Sequence, residues 1–180
     1  PQAFEASVRS AQRISDLSSR PFDFAVLAGD LTDGSQRNEL SWVIDILNGG
    51  VIDPDSGIDD DPIAGPGNDY NDPFCSDGIS VPWYAAIGNH ETLYNGGFGR
   101  VTDELREAAV GTEVYNGAIF PNGFRDGSTL YGDVVDEGTT PADADRLVLR
   151  LPEVLQMLLD ADGEPRGHGL TQEDVDQGMG

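Results

Sequence analysis

Five polar residues in two short stretches have the types and spacing for chemistry. Asp30 and Asp33 stand three positions apart in Gly29-Asp-Leu-Thr-Asp33, directly behind the apolar run Phe24-Ala-Val-Leu-Ala28. Asn89, His90 and Glu91 follow Gly88, directly behind a second apolar run, Val81 to Ile87. A short apolar run ended by a glycine reads as a buried strand feeding a tight turn. In open α/β sheets ligands bind in the crevice beyond the carboxyl ends of the strands, so carboxylates in such turns are expected to face a crevice. Oxygen donors and an imidazole at two strand ends in one crevice suggest a metal. Each carboxylate oxygen of an aspartate can serve one cation, asparagine adds a neutral hard oxygen, and mixed oxygen and nitrogen sets take manganese, iron or zinc. A nearby carboxylate favours the protonated imidazole, so Asp33 is expected to help keep His90 cationic. Glu91 is expected to orient its neighbours instead of binding directly.

Taken together and in this order, GDLTD and GNHE resemble the calcineurin-like metallophosphoesterases, whose pattern includes G-D-x-x-D followed later by G-N-H-[DE]. The resemblance covers roughly residues 1 to 100. It implies that Asp30 bridges two metal ions, that Asn89 ligates the second through its side-chain oxygen, that His90 sits at the attacked phosphorus, and that Asp33 hydrogen-bonds and orients His90. The implied activity is hydrolysis of phosphate mono- or diesters by a metal-bridging hydroxide, with no covalent enzyme intermediate. Two transition metal ions about 3.5 to 4 Å apart acidify a shared water and clamp both the attacking and departing oxygens. The implied fold is α/β, part of an αββα sandwich core. His90 would stabilise the transition state or protonate the leaving group.

Two further motifs of that family do not occur here: an earlier D-x-H, and a later G-H-x-H that supplies most of the remaining ligands. The second histidine of this chain, His168, lies in Gly167-His168-Gly169 with Leu170 where G-H-x-H requires histidine. The expectation is an internal piece of a longer enzyme carrying about half of a metal site. His168, between glycines, reads first as part of a flexible loop.

The elements that must position these residues can be read around them. Phe4, Val8, Ala11 and Ile14 recur near helical spacing and predict an amphipathic helix over 2–18. A strand over 22–28 follows. Ser35 is placed to cap a helix ending near Leu47, with Leu40, Val43, Ile44 and Leu47 as its buried stripe and Gly49-Gly50 as its stop. Residues 51–80 hold eight aspartates with several prolines and glycines and no periodicity, and are expected to be a loop-rich insertion able to overhang the crevice. Within it, Asp53-Pro-Asp55-Ser-Gly57-Ile-Asp59 is a poor match to a calcium loop, because its glycine falls at the fifth position and no glutamate follows at the twelfth. A strand over 81–87 comes next. Residues 102–109 suggest a short helix, 111–141 turns with short hairpins, 146–151 a brief strand, and Pro152 the opening of a helix whose buried face is Val154, Leu155, Leu158 and Leu159. Thr171 with Asp174 forms a capping box for a last helix. The division is a core over 1–91, with the acidic insertion 51–80, and a lid or specificity insertion over 92–180. Tyr94 and Phe98 are expected to cover core, and Arg100, Arg125, Arg150 and Arg166 are the candidate partners for a substrate phosphate.

Composition narrows the partners. The chain of 180 residues has a formal net charge of −23, no lysine, and a hydrophobic share of 38%, low against the usual figure of about 45 to 50%. So anionic a surface argues against nonspecific binding to nucleic acid or anionic membranes, both of which need cationic patches. No apolar stretch approaches the length of a membrane helix. Cys75 is the single cysteine and is expected to be a loop thiol. The composition is compatible with an exported or periplasmic location and leaves the oligomeric state open. The expected partner is a small phosphoester. Two other readings stand beside the enzyme: an acidic calcium-dependent interaction module built on the aspartate-rich insertion, and a catalytically inactive phosphoesterase-like scaffold.

Overall fold

The computed structural model describes residues 1–57, 61–92, 101–115 and 136–178. The chain is mixed α/β. Helix α1 (Gln2–Leu17) leads into strand β1 (Ala25–Leu27), then α2 (Arg37–Asn48), β2 (Gly50–Ile52), β3 (Phe74–Ser76), β4 (Trp83–Ala85) and the single turn α3 (Asn89–Thr92). Helix α4 (Asp103–Val110), strands β5 (Glu113–Tyr115) and β6 (Asp136–Thr139), and helices α5 (Leu151–Asp160) and α6 (Gln172–Gly178) complete the order. Short 3-10 turns occupy Ala144–Arg146 and Arg166–Gly169.

Strands β1 and β4 pair in parallel, with Ala25 opposite Trp83, Val26 opposite Tyr84 and Leu27 opposite Ala85. The pairing begins at the Ala25 N–H, which donates to the Pro82 carbonyl at 2.8 Å, and ends at the Ala86 N–H, which donates to Leu27 at 2.9 Å. This register brings both glycine-ended turns to the same end of the pair. Both strands are shorter than the apolar runs that contain them: Phe24 is 57% exposed and meets Tyr84 edge to face at 6.0 Å.

One buried cluster holds Val8 of α1, Leu40, Ile46 and Leu47 of α2, Ile52 of β2, Trp83 of β4, and Leu149, Val154 and Leu158 from the α5 region. It therefore draws residues from both sides of position 91. Full burial of side chains of this kind is worth roughly 1.5 to 3 kcal/mol each. The buried side of α1 follows the expected stripe at Phe4, Val8 and Ala11 and departs from it only at the last position, Ile14. Val8 and Ser15 are buried, whereas Ile14 is 61% exposed; Ser15 Oγ accepts from the Phe22 N–H at 2.9 Å and so ties the helix end to the following segment.

Four other expectations are corrected. Ser35 does not cap α2. It has φ 56° and is buried, its hydroxyl facing the carbonyls of Glu91 (2.8 Å) and Leu149 (3.3 Å), while Gln36 is the cap and Glu39 accepts from its N–H at 2.9 Å. The acidic stretch is not without regular structure, because β2 and β3 pair antiparallel across it. Cys75 lies on β3 and is exposed, not in a loop. In place of a strand over 146–151, Val148 makes one antiparallel bridge to Gln36 before α5 starts. The helix over 103–110 forms with Thr102 accepting from the Leu105 N–H, α5 carries Pro152 in its first turn, and α6 has its Thr171–Asp174 box.

Candidate functional site

The site is built by two turns lying in contact. Gly29 has φ 93° and Asp30 φ 53°, so the chain leaves β1 through two successive left-handed residues. Glycine adopts that region freely and aspartate tolerates it better than most residues. A Cβ on Gly29 would stand 2.7 Å from the Gly88 nitrogen, and a Cβ on Gly88 would stand 2.2 Å from Asp30 Oδ1 and 2.4 Å from the Asp30 nitrogen. Only glycine permits so close an approach at either position.

Three of the four residues expected to act are joined by contacts. The His90 N–H donates to Asp30 Oδ1 at 3.1 Å, so Asp30 places its charge on a free amide in the first turn of α3. His90 Nδ1 donates to the main-chain carbonyl of Asp33 at 2.8 Å. The Asp33 carboxylate is 3.6 Å from the same nitrogen and 97% exposed. The expected orienting contact from Asp33 is thus made by its backbone; the side chain sits beyond hydrogen-bonding distance because it points to solvent at the tip of the turn. With Nδ1 committed, Nε2 is the imidazole nitrogen without a partner among the described residues. The His90 pKa is raised, first by the Asp33 carbonyl, against a smaller opposing effect of burial, and further by the negative charges of Asp30, Asp33 and Glu91. Asn89 opens α3 between Gly88 and His90 and is exposed.

Glu91 is fully buried. Its Oε2 accepts from the N–H groups of Gly88 (2.7 Å) and Asp30 (2.9 Å), and its Oε1 from the N–H (2.9 Å) and hydroxyl (3.2 Å) of Thr32. Sequence reasoning placed Glu91 beside the site but missed Thr32 and Ser35. Nothing in their type or spacing marks them for this role, since a threonine within GDLTD reads as an ordinary turn residue and Ser35 reads as a helix cap.

A cleft of about 630 Å³ runs along one side of the β1 turn. Asp30, Thr32, Asp33 and Glu39 are its polar lining and Phe4, Trp42 and Val43 part of its apolar lining, whereas Asn89 and His90 do not line it. Among the candidate arginines, Arg150 pairs with Asp103 at 2.6 Å and Arg166 is exposed, while Arg100 and Arg125, like Tyr94 and Phe98, lie outside the described residues. Asp59 of the calcium-loop candidate lies outside them as well. In the acidic stretch, carboxylate oxygens of Asp61, Asp69 and Asp72 come within 4.8 Å of one another. These three carboxylates also accept main-chain N–H groups of their own loop, from Gly65, Ile63, and Asn68 with Asp69 respectively.

His168 is not in a flexible loop. It is buried and stacked on Trp83 at 3.3 Å between ring centroids, with Nδ1 3.2 Å from the Trp83 carbonyl and Nε2 3.0 Å from that of Asp162. It fastens the 163–170 segment to β4, on a different side of that strand from the β1 turn. No helix among the described residues is long and apolar enough to cross a membrane.

Compared with known proteins, the chain matches no family model, no curated protein and no solved structure.

Proposed function

We propose that this chain carries part of a metal-dependent phosphoesterase site, on part of an αββα sandwich core of the calcineurin-like type, for the hydrolysis of phosphate mono- or diesters. The observation that carries the reading is the 3.1 Å contact between His90 and Asp30, two residues 60 positions apart that meet at the ends of parallel strands. The backbone of the turn that carries Asn89 and His90 thus lies against the Asp30 carboxylate, which supports a shared site for these three residues.

The donors fit hard or borderline cations. Asp30 and Asn89 are both exposed and both offer oxygen, and Asp30 keeps its second oxygen free of described hydrogen-bond partners while Oδ1 accepts from His90. Bound manganese, iron or zinc would supply an acidified water and neutralise phosphate charge. The chain's own part is to hold His90 with Nδ1 on the Asp33 carbonyl, leaving Nε2 to donate to a phosphoryl or leaving-group oxygen. The raised pKa of His90 favours the form that can donate.

Two oxygen donors hold a cation weakly, so the test reads location as well as affinity. Mn²⁺ titrated into ¹⁵N-labelled protein is expected to broaden the amide signals of 30–33 and 88–91 first. Asp30→Asn should remove that response and any Mn²⁺-dependent hydrolysis of a chromogenic phosphoester. Wild-type activity in Asp30→Asn, or broadening confined to Asp61, Asp69 and Asp72, would overturn the proposal. The second result would favour the acidic calcium-dependent module. Specific Mn²⁺ binding without turnover would favour the inactive scaffold.

A further inference from the structure

We infer that Glu91 is the positioning residue of this site: its carboxylate sets the distance between the Asp30 turn and the Asn89–His90 turn, and with it the affinity for a cation. The inference rests on the metal-site reading above.

The geometry is that of one acceptor serving two loops. Oε2 takes one N–H from each turn, Gly88 at 2.7 Å and Asp30 at 2.9 Å, so a single oxygen atom links them. Oε1 takes both donors of Thr32 and fixes the turn two residues further on. Four donors face Glu91, three backbone amides and one hydroxyl, and none of them belongs to an arginine. Backbone amides arranged in this way form a concave anion site, and here the occupant is a side chain of the opposite turn. The main chain of Glu91 is held too, since the Ser35 hydroxyl donates to its carbonyl at 2.8 Å.

The requirement is for a glutamate and not merely a polar residue. Glutamine would place an NH₂ group where an oxygen now faces N–H donors, leaving at least one buried amide without an acceptor. Aspartate is one methylene shorter and cannot reach both turns from the same backbone position. No side chain fills the space between Gly29 and Gly88, where an added Cβ would collide with backbone. Spacing is therefore set by main-chain contact and by the Glu91 bridge. Loss of the bridge lets Asp30 move relative to Asn89 while each ligand itself is retained.

The experiment measures hydrogen exchange at the amides of Gly88, Asp30 and Thr32 together with Mn²⁺ affinity, in wild type, Glu91→Gln and Thr32→Val. Glu91→Gln is expected to speed exchange at these amides by about tenfold or more while the amides of Val154 and Leu158 keep their rates, and to weaken Mn²⁺ binding by about 10- to 100-fold. Thr32→Val, which deletes one of the four donors and preserves shape, should produce a smaller change of the same sign and serves if Glu91→Gln does not fold. Val8→Ala, which loosens the core elsewhere, should lower the melting temperature without moving either local readout. Wild-type exchange and wild-type Mn²⁺ affinity in Glu91→Gln would overturn the inference. If wild-type protein binds no Mn²⁺ near Asp30, the metal reading fails separately and exchange decides: acceleration confined to the three amides upholds the bridge, and unchanged exchange overturns it.

Discussion

The imidazole of His90 is held by the main-chain carbonyl of Asp33 at 2.8 Å, while the carboxylate of the same residue stands 3.6 Å away in solvent. A backbone acceptor survives any substitution that leaves the turn intact. On the phosphoesterase reading proposed above, Asp33→Asn should therefore lower kcat for a chromogenic phosphoester by less than about tenfold, because it removes only a screened charge. His90→Ala should lower kcat by about 10² to 10⁴, the range for loss of a general acid, with Mn²⁺ content largely retained. Steady-state kinetics with metal analysis on both variants checks the pair. A loss in Asp33→Asn as large as that in His90→Ala would show that the carboxylate does the orienting.

Gly88→Ala should be among the most damaging single-methyl changes in the chain. The added Cβ would lie 2.2 Å from Asp30 Oδ1 and 2.4 Å from the Asp30 nitrogen, and the second of these atoms is backbone. The two turns must separate to admit it, which strains the Glu91 bridge. A loss of about 1 to 3 kcal/mol is expected from overpacking of this kind, measured by urea denaturation. Gly67→Ala provides the comparison, since an added Cβ there meets nothing within 4 Å; its positive φ of 69° gives it a backbone cost that Gly88 does not carry, so a greater loss in Gly88→Ala is due to crowding.

These relationships divide by how local their causes are. The two glycine-ended turns were legible because strand, glycine and ligand-type residue are adjacent in sequence, and α4, α5 and α6 were legible because Asp103 with Glu104, Pro152, and Thr171 with Asp174 each mark a helix start within one turn. What escaped was set by distant partners. Ser35 has the chemistry of a cap, but Glu91 and Leu149 claim its hydroxyl from 56 and 114 residues away. Ile14 fits the helical stripe of α1, yet the helix turns Ser15 inward because Phe22 uses its oxygen. His168 sits between glycines, and only the tertiary fold supplies Trp83 as the ring beneath it. The pairing of β2 with β3 spans the aspartate-rich stretch, where composition hides a ladder only three residues long.

Acid should weaken the link between α4 and α5, which runs through one ion pair. Arg106 donates from both terminal nitrogens to Glu153, the Nη2 to Oε1 bond being 2.9 Å, and also reaches the Val148 carbonyl at 2.8 Å. Burial, the largest single influence on Glu153, raises its pKa, but the Arg106 hydrogen bonds, the Arg150 N–H and both arginine charges together lower it below the ordinary 4.5. A lowered carboxyl pKa contributes stability above the unfolded-state value and loses it as pH falls through the folded value. Wild type should accordingly exceed Glu153→Gln by a constant margin near neutral pH, about 1 kcal/mol given that the pair is partly exposed. The margin should shrink below about pH 4.5 and vanish once the carboxyl is protonated in both states. Urea melts at a series of pH values test this, and a margin that grows toward acid would contradict it.

Stacking and hydrogen bonding by His168 can be separated by substitution. His168→Ala removes a buried ring from Trp83 together with the ring nitrogens that face the carbonyls of Trp83 and Asp162, and should cost about 2 to 4 kcal/mol by the sum of cavity and polar losses. His168→Phe restores a ring over the indole and none of the donors, so it should recover part of that loss. Trp83 also donates from Nε1 to Asn48 Oδ1 at 3.0 Å, and a Cβ on Gly163 would press to 2.6 Å from the same oxygen. The cluster thus joins the end of α2, β4 and the 163–170 segment around the buried Trp83 and His168 rings. Trp83 is one of two tryptophans in the chain, so a Trp42→Phe background makes its fluorescence a direct probe of denaturation in each variant. If His168→Ala and His168→Phe melt within about 0.5 kcal/mol of wild type, the range of an uninvolved surface change, His168 does not fasten the segment to β4.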